Sequence, residues 1–106
     1  MELIKKAFDA VLVIQPAVFE DYRGYFFESF KKNEFEKKNL NMKFVQDNQA
    51  QSSKGVLRGL HYQLNNPQGK LVWVTLGKVF DVAVDIRKGS PTFGQSITTL
   101  LDDKSH

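Results

Sequence analysis

At 106 residues, with 42% hydrophobic and 25% charged side chains, the chain has the size and composition of one soluble globular domain. Its net charge of +3 is not concentrated in a basic run, which favours attraction of an anionic ligand over dedicated nucleic-acid binding. The absence of cysteine excludes disulfides and thiolate chemistry, and with no export signal or long apolar segment it predicts a cytoplasmic protein without a membrane span.

The predicted secondary structure is a series of short strands with one helix. β-branched and aromatic residues dominate the strands, and Gly, Pro and Asn mark the turns between them. The predicted strands are residues 11–14, 25–30, 44–46, 56–63, 71–76, 79–87 and 95–101. Many short strands separated by turn signals predict an all-β sandwich or barrel, with residues 1–106 as a single domain.

The one predicted helix covers residues 33–41. Asn33 is a residue type that caps helices, and Glu34 and Lys38 are spaced to form an ion pair one turn apart. We expect this helix to be solvated scaffolding rather than part of a site.

The predicted strand 79–87 alternates between two kinds of side chain. Phe80, Val82, Val84 and Ile86 share one face. The opposite face carries Asp81, Ala83, Asp85 and Arg87. A half-buried strand with a solvated charged face explains this pattern, so we expect Asp85 and Arg87 to be solvated.

Lys70 precedes the predicted strand 71–76, and alternation places it on the same face as Val72 and Val74. Two interpretations remain open. Lys70 either extends to water from the strand end, or is directed into a site at the mouth of a barrel.

Residues 56–63 are the most informative segment because they contain His61, the only histidine apart from His106. Arg58, His61 and Gln63 make this apolar strand unusually polar, and buried polar groups need partners or a ligand. His61 is either a packed side chain or a catalytic one. No second histidine lies nearby, so we expect no metal.

Several segments together resemble the dTDP-4-dehydrorhamnose 3,5-epimerase family, in the same order along the chain. They are residues 21–28 (DYRGYFFE), 44–48 (FVQDN), 56–63 (VLRGLHYQ), 68–72 (QGKLV), 77–87 (GKVFDVAVDIR) and 90–94 (SPTFG). The resemblance implies a cupin-like β-jelly roll, formed as a partial barrel with one short helix. It also implies a homodimer that works without a cofactor on a dTDP-linked 4-keto sugar.

The resemblance further implies roles for individual residues. His61 is the general base and Lys70 stabilises the oxyanion. The substrate-binding residues are Arg23, Glu28, Gln46, Asp47, Asn48 and Arg58. The chemistry fits these side chains, because the 4-keto group acidifies the C3 and C5 hydrogens and a nearby cation stabilises the enolate.

Family members are considerably longer than this chain, so we expect the jelly roll to be incomplete at its C-terminus. By resemblance, the missing part supplies a tyrosine that reprotonates the sugar and an aspartate that orients the base. Three alternatives remain: a related single-centre epimerase or ketoisomerase, a non-catalytic nucleotide-sugar or carbohydrate-binding jelly roll, and a structural β-domain with a packed His61.

Gly59 separates two residues that the resemblance assigns to one site. Arg58 and His61 are three positions apart, and a regular strand directs such residues to opposite faces. We therefore predict a bulge, a twist or a strand break at Gly59. The alternative is that Arg58 lies at the strand end and reaches around the rim.

Overall fold

The computed structural model describes residues 1–106 and contains six strands and one helix. They are β1 (Glu2–Ala7), β2 (Val11–Gln15), β3 (Val18–Asp21), β4 (Gly24–Phe27), α1 (Lys32–Lys37), β5 (Lys78–Val84) and β6 (Ser96–Asp102). Consecutive strands form three antiparallel two-stranded sheets, β1–β2, β3–β4 and β5–β6. The predicted all-β class with one short helix is confirmed.

The turn of the β3–β4 hairpin follows from its sequence. Asp21 pairs with Gly24, which leaves Tyr22 and Arg23 as a two-residue loop. Gly24 has a φ of +135°, which glycine adopts readily, and the Asp21 carboxylate accepts the Arg23 backbone N–H at 2.9 Å. The hairpin ends at the pair Val18–Phe27, so β4 is shorter than the predicted strand 25–30.

β1 and β3 were not predicted. Charged residues such as Lys5 and Lys6 interrupt the apolar pattern of β1, and most of this strand is exposed. The backbone pairing with β2, from Glu2–Gln15 to Ala7–Val11, defines β1 instead. Backbone hydrogen bonds do not depend on side-chain hydrophobicity, which is why the pattern missed it.

The β5–β6 hairpin has the predicted alternation but not the predicted exposure. Phe80 pairs with Leu100 on one face, and their side chains are 66% and 53% exposed. Ile97 lies on the opposite face and is buried, and Asp85, just beyond β5, is only 5% exposed. The prediction that Asp85 is solvated was wrong, because its carboxylate is enclosed by hydrogen-bond donors from the following loop.

The helix is shorter than predicted. It begins at Lys32 after the N-cap Lys31, whose side chain makes no capping bond, so the predicted cap at Asn33 was wrong. Glu34 pairs with Lys37 at 2.9 Å rather than with Lys38. The helix ends before Asn39, which has a left-handed φ of 59°.

The helix packs against its surroundings through a small aromatic cluster of Phe30, Phe35 and Phe44. Phe35 is 4% exposed, and its ring centroid lies 4.8 Å from that of Phe30 and 6.5 Å from that of Phe44. Apart from Phe35, only Asp85 and Ile97 are buried. The chain therefore has very little interior of its own. No helix has the length and apolar character required to cross a bilayer.

Three predicted strands, at residues 44–46, 56–63 and 71–76, are not strands in this structure. Within residues 41–76 the only backbone hydrogen bond joins the Val56 N–H to the Ser53 carbonyl. A strand requires a partner for its backbone groups, and no other part of the chain supplies one here. These three predictions were therefore wrong for the chain by itself.

Candidate functional site

His61 lies in an exposed segment, so it is not a packed core side chain here. Its Nδ1 is 3.2 Å from the carbonyl oxygen of Gly59. A carbonyl oxygen only accepts hydrogen bonds, so Nδ1 carries the proton when this bond forms. The neutral ring then presents an unprotonated Nε2, which is the state that a general base requires.

The Arg58 guanidinium is held on one side only. Its Nε and one terminal nitrogen donate to the Ser52 hydroxyl at 3.1 and 2.9 Å. No acidic side chain pairs with it, so the remaining N–H groups are available to an anion. Because no ladder runs through residues 56–63, the bulge, twist or strand break at Gly59 stays a prediction, and so does the alternative that Arg58 reaches around the rim.

Lys70 is exposed and takes part in none of the ion pairs or side-chain hydrogen bonds of the chain. The alternation that placed it beside Val72 and Val74 required a strand over residues 71–76, and that strand is absent. Burial in this segment also does not alternate with a period of two. The face-sharing argument for Lys70 was therefore wrong here, and its role rests on the resemblance.

Arg23 is paired with Asp21 on the β3–β4 turn. One of its terminal nitrogens lies 2.6 Å from the carboxylate, and Nε lies 3.1 Å from the same oxygen. The hydrogen bonds from Arg23 hold the pKa of Asp21 below its usual value, and those to Asp21 raise the pKa of Arg23. An anion that binds Arg23 would compete with Asp21.

The other predicted substrate-binding residues make only local contacts. Glu28 lies 3.5 Å from the Lys31 ammonium, and the Gln46 amide donates to Asn48 at 3.0 Å. Asp47 lies between Gln46 and Asn48 and is exposed. These contacts span two or three positions and do not bring the predicted residues into one site.

Two open clefts on the surface are lined by neither His61 nor Lys70. One, of about 440 Å³, lies over the β3–β4 hairpin and includes Arg23. The other, of about 420 Å³, lies between the β1–β2 turn and residues 87–92. No cluster of three or more His, Asp or Glu side chains is arranged to hold a metal ion.

The polar cluster with the most hydrogen bonds surrounds Asp85 and was not predicted. Its carboxylate accepts hydrogen bonds from the Arg87 side chain and backbone and from the hydroxyls of Ser90 and Thr92. Arg87 also donates to the Phe8 carbonyl at 2.7 Å, which ties the β1–β2 turn to this loop. These donors, Arg87 first, hold the pKa of Asp85 well below its ordinary value. The turn-forming sequence Ser90-Pro91-Thr92 after Asp85 was the feature from which this cluster could have been predicted.

Comparison with known proteins identifies the family. The family model described as dTDP-4-dehydrorhamnose 3,5-epimerase matches residues 5–106. The epimerase of Pseudomonas aeruginosa is 55% identical over 102 residues, which cover 95% of this chain and 56% of that protein. The epimerase of Methanothermobacter thermautotrophicus is 49% identical, with 96% and 55% coverage. The chain spans about half the length of these relatives.

Solved structures of dTDP-4-dehydrorhamnose 3,5-epimerases share the fold of this chain. The Bacillus anthracis epimerase, with TDP and PPi bound, has a TM-score of 0.93 and 39% identity, over 99% of this chain and 61% of that one. The Legionella pneumophila enzyme, in complex with dTDP-4-keto-L-rhamnose, has a TM-score of 0.90 and 50% identity, with 98% and 56% coverage. The predicted cupin-like jelly roll is confirmed.

Proposed function

The chain belongs to the dTDP-4-dehydrorhamnose 3,5-epimerase family, and we propose that it carries the catalytic base and nucleotide contacts of such an enzyme. The reaction inverts C3 and C5 of dTDP-4-dehydro-6-deoxy-D-glucose and yields dTDP-4-dehydro-L-rhamnose, a step of dTDP-L-rhamnose biosynthesis. The names of the relatives and the ligands of the two solved structures support this assignment.

The observation that carries the proposal is the contact between His61 and Gly59. In the neutral tautomer that carries its proton on Nδ1, directed to the Gly59 carbonyl, Nε2 has a free lone pair. The C–H bond at C3 or C5 breaks, the proton moves to Nε2, and the electron pair passes into the C4 carbonyl to form an enolate. An acid then returns a proton to the opposite face of the sugar carbon.

Lys70 would stabilise the enolate oxygen. Its ammonium has no partner in the chain, so it is available to a developing negative charge. Bringing Lys70 and His61 to one substrate requires the 56–63 and 70–76 segments to take fixed positions.

The nucleotide part of the substrate would be held by cationic and amide groups. Arg58 offers free guanidinium N–H groups to a diphosphate, and Arg23 does so after release from Asp21. Gln46, Asp47 and Asn48, together with Glu28, would contact the rest of the nucleotide-sugar. The proposal also includes homodimer formation and a cytoplasmic location, the latter supported by the absence of cysteine.

Solvent exchange tests the proposal. The nucleotide-sugar is incubated in D₂O with the chain joined to the remaining length of the family fold, and deuterium at C3 and C5 is followed by NMR. We expect His61→Asn to slow exchange by at least ~10²-fold, the loss typical of a missing general base, with nucleotide affinity retained. His106→Asn, at the other histidine, is the matched control and should exchange at the unsubstituted rate.

Two outcomes would contradict the proposal. Exchange unaffected by His61→Asn would exclude His61 as the base. Binding of TDP with no exchange at either carbon would instead support the non-catalytic nucleotide-sugar-binding alternative.

A further inference from the structure

The side chain of Met42 lies directly against the backbone of Gly69. A Cβ atom added at Gly69 would collide with the methyl carbon Cε of Met42 and would lie 3.9 Å from its Sδ. The other glycines have no atom within 4 Å of the corresponding position. The missing side chain at residue 69 therefore makes room for the Met42 methyl group.

Met42 belongs to a segment that the aromatic cluster of Phe30, Phe35 and Phe44 holds in place. The ring centroid of Phe44 lies 5.2 Å from that of Phe30 and 6.5 Å from that of the buried Phe35. Two residues of chain reach at most about 7 Å, so the Met42 backbone stays close to Phe44. The contact with Gly69 therefore joins residue 69 to one of the few buried parts of the chain.

Gly69 directly precedes Lys70 in the sequence. Lys70 has no ion-pair or side-chain hydrogen-bond partner of its own in the chain. The position of its ammonium then depends on the backbone from which the long side chain projects. Met42 contacts that backbone at the neighbouring residue, and methionine is a flexible apolar side chain that fills irregular gaps of this kind.

We propose that Met42 is a positioning residue for Lys70. Its methyl group, placed on Gly69, fixes the backbone from which the lysine side chain reaches the enolate oxygen. Met42 does this without touching the substrate, because displacing a stabilising group by about 1 Å is enough to cost ~10²-fold in rate. The inference rests on the proposed function for what Lys70 does, whereas the contact itself is independent of the reaction.

Substitutions at Met42 test the inference in the chain joined to the remaining length of the family fold. Met42→Ala removes the contact with Gly69, and we expect kcat to fall about tenfold with TDP affinity unchanged, because Lys70 acts on the sugar rather than the nucleotide. Met42→Leu keeps most of the apolar volume and should restore most of kcat. Leu64→Ala, at an exposed leucine shortly before Gly69, is the control and should retain kcat.

A double substitution separates positioning of Lys70 from a general loss of structure. If Met42 acts through Lys70, adding Met42→Ala to Lys70→Met should lower kcat no further. Where Lys70→Met does reduce kcat, two results would overturn the inference. One is an unchanged kcat for Met42→Ala, and the other is an equal further loss when Met42→Ala is added to Lys70→Met.

NMR of the lysine side chains gives a readout that is independent of catalysis. The lysines are labelled by reductive methylation with ¹³C, and the signal that disappears in Lys70→Met identifies Lys70. Met42→Ala should shift or broaden the Lys70 signal and leave that of Lys54 in place. An unchanged Lys70 signal would overturn the inference. A changed Lys70 signal together with full activity of Lys70→Met would support the inference and contradict the proposed role of Lys70 in the reaction.

Discussion

The Asp85 carboxylate accepts a hydrogen bond from Nε of Arg87 at 3.1 Å, and the same guanidinium donates to the Phe8 carbonyl at 2.7 Å. This pair fixes the loop that follows β5 and connects it to the β1–β2 turn. Arg87 is half-exposed, but the Asp85 side chain is only 1% exposed, so the carboxylate depends on its donors for the hydrogen bonds that water would otherwise supply.

Replacing Asp85 should therefore destabilise the chain. Asp85→Ala leaves the hydroxyls of Ser90 and Thr92 and the Arg87 guanidinium without their shared acceptor. We expect the thermal midpoint to fall by about 5 °C or more, measured by circular dichroism. Glu20→Ala, at an exposed carboxylate without a partner, is the control. Equal midpoints for the two variants would contradict this prediction.

The same carboxylate should make stability depend on pH. The pKa of Asp85 is lower in the folded chain than its ordinary value of 3.8, so folding favours the charged form. This contribution is fully present well above pH 3.8 and is lost as the pH falls below it. Urea unfolding between pH 6 and pH 2 should show a smaller loss of stability for Asp85→Asn than for the unsubstituted chain. An equal loss of stability with falling pH in both proteins would contradict the lowered pKa of Asp85.

Lys70→Met should reduce catalysis more than stability. If the ammonium stabilises the enolate, its removal should lower kcat at least ~10²-fold in the completed fold, with TDP affinity and the thermal midpoint nearly unchanged. Lys54→Met, at another exposed lysine, provides the comparison for loss of one positive charge. A similar small effect of both substitutions would remove Lys70 from the mechanism.

Arg58→Lys should weaken nucleotide binding although the charge is retained. A lysine ammonium does not offer the paired donors of a guanidinium, so we expect about a tenfold loss in TDP affinity by calorimetry. Ser52→Ala removes only the hydroxyl that holds Arg58 and should cost less. Unchanged affinity for Arg58→Lys would show that Arg58 does not contact the diphosphate.

Asp21→Asn should strengthen nucleotide binding if Arg23 contacts the substrate. The substitution removes the carboxylate that occupies Nε and one terminal nitrogen of Arg23. We expect TDP affinity to rise a few-fold at low ionic strength, where screening is weak. The double substitution with Arg23→Ala should abolish the gain. A gain that survives in the double variant would assign the effect to the general change in charge.

The sequence by itself determined the all-β class and the family. The class follows from short β-branched and aromatic runs separated by turn residues, and the ordered motifs around His61 carry the family resemblance. The alternation of side chains between the two faces of β5 was also predictable from the sequence, because successive residues of a strand point to opposite faces.

Only the tertiary structure determined which face of β5 is buried and which of the predicted strands have a pairing partner. Asp85 is buried because Ser90 and Thr92 turn back toward it, and the alternation of charged and apolar residues does not encode that loop conformation. Residues 56–63 and 71–76 have strand composition and yet no ladder, since a strand exists only with a partner backbone. The partner's position is a property of the assembled fold, so composition within these segments does not determine it.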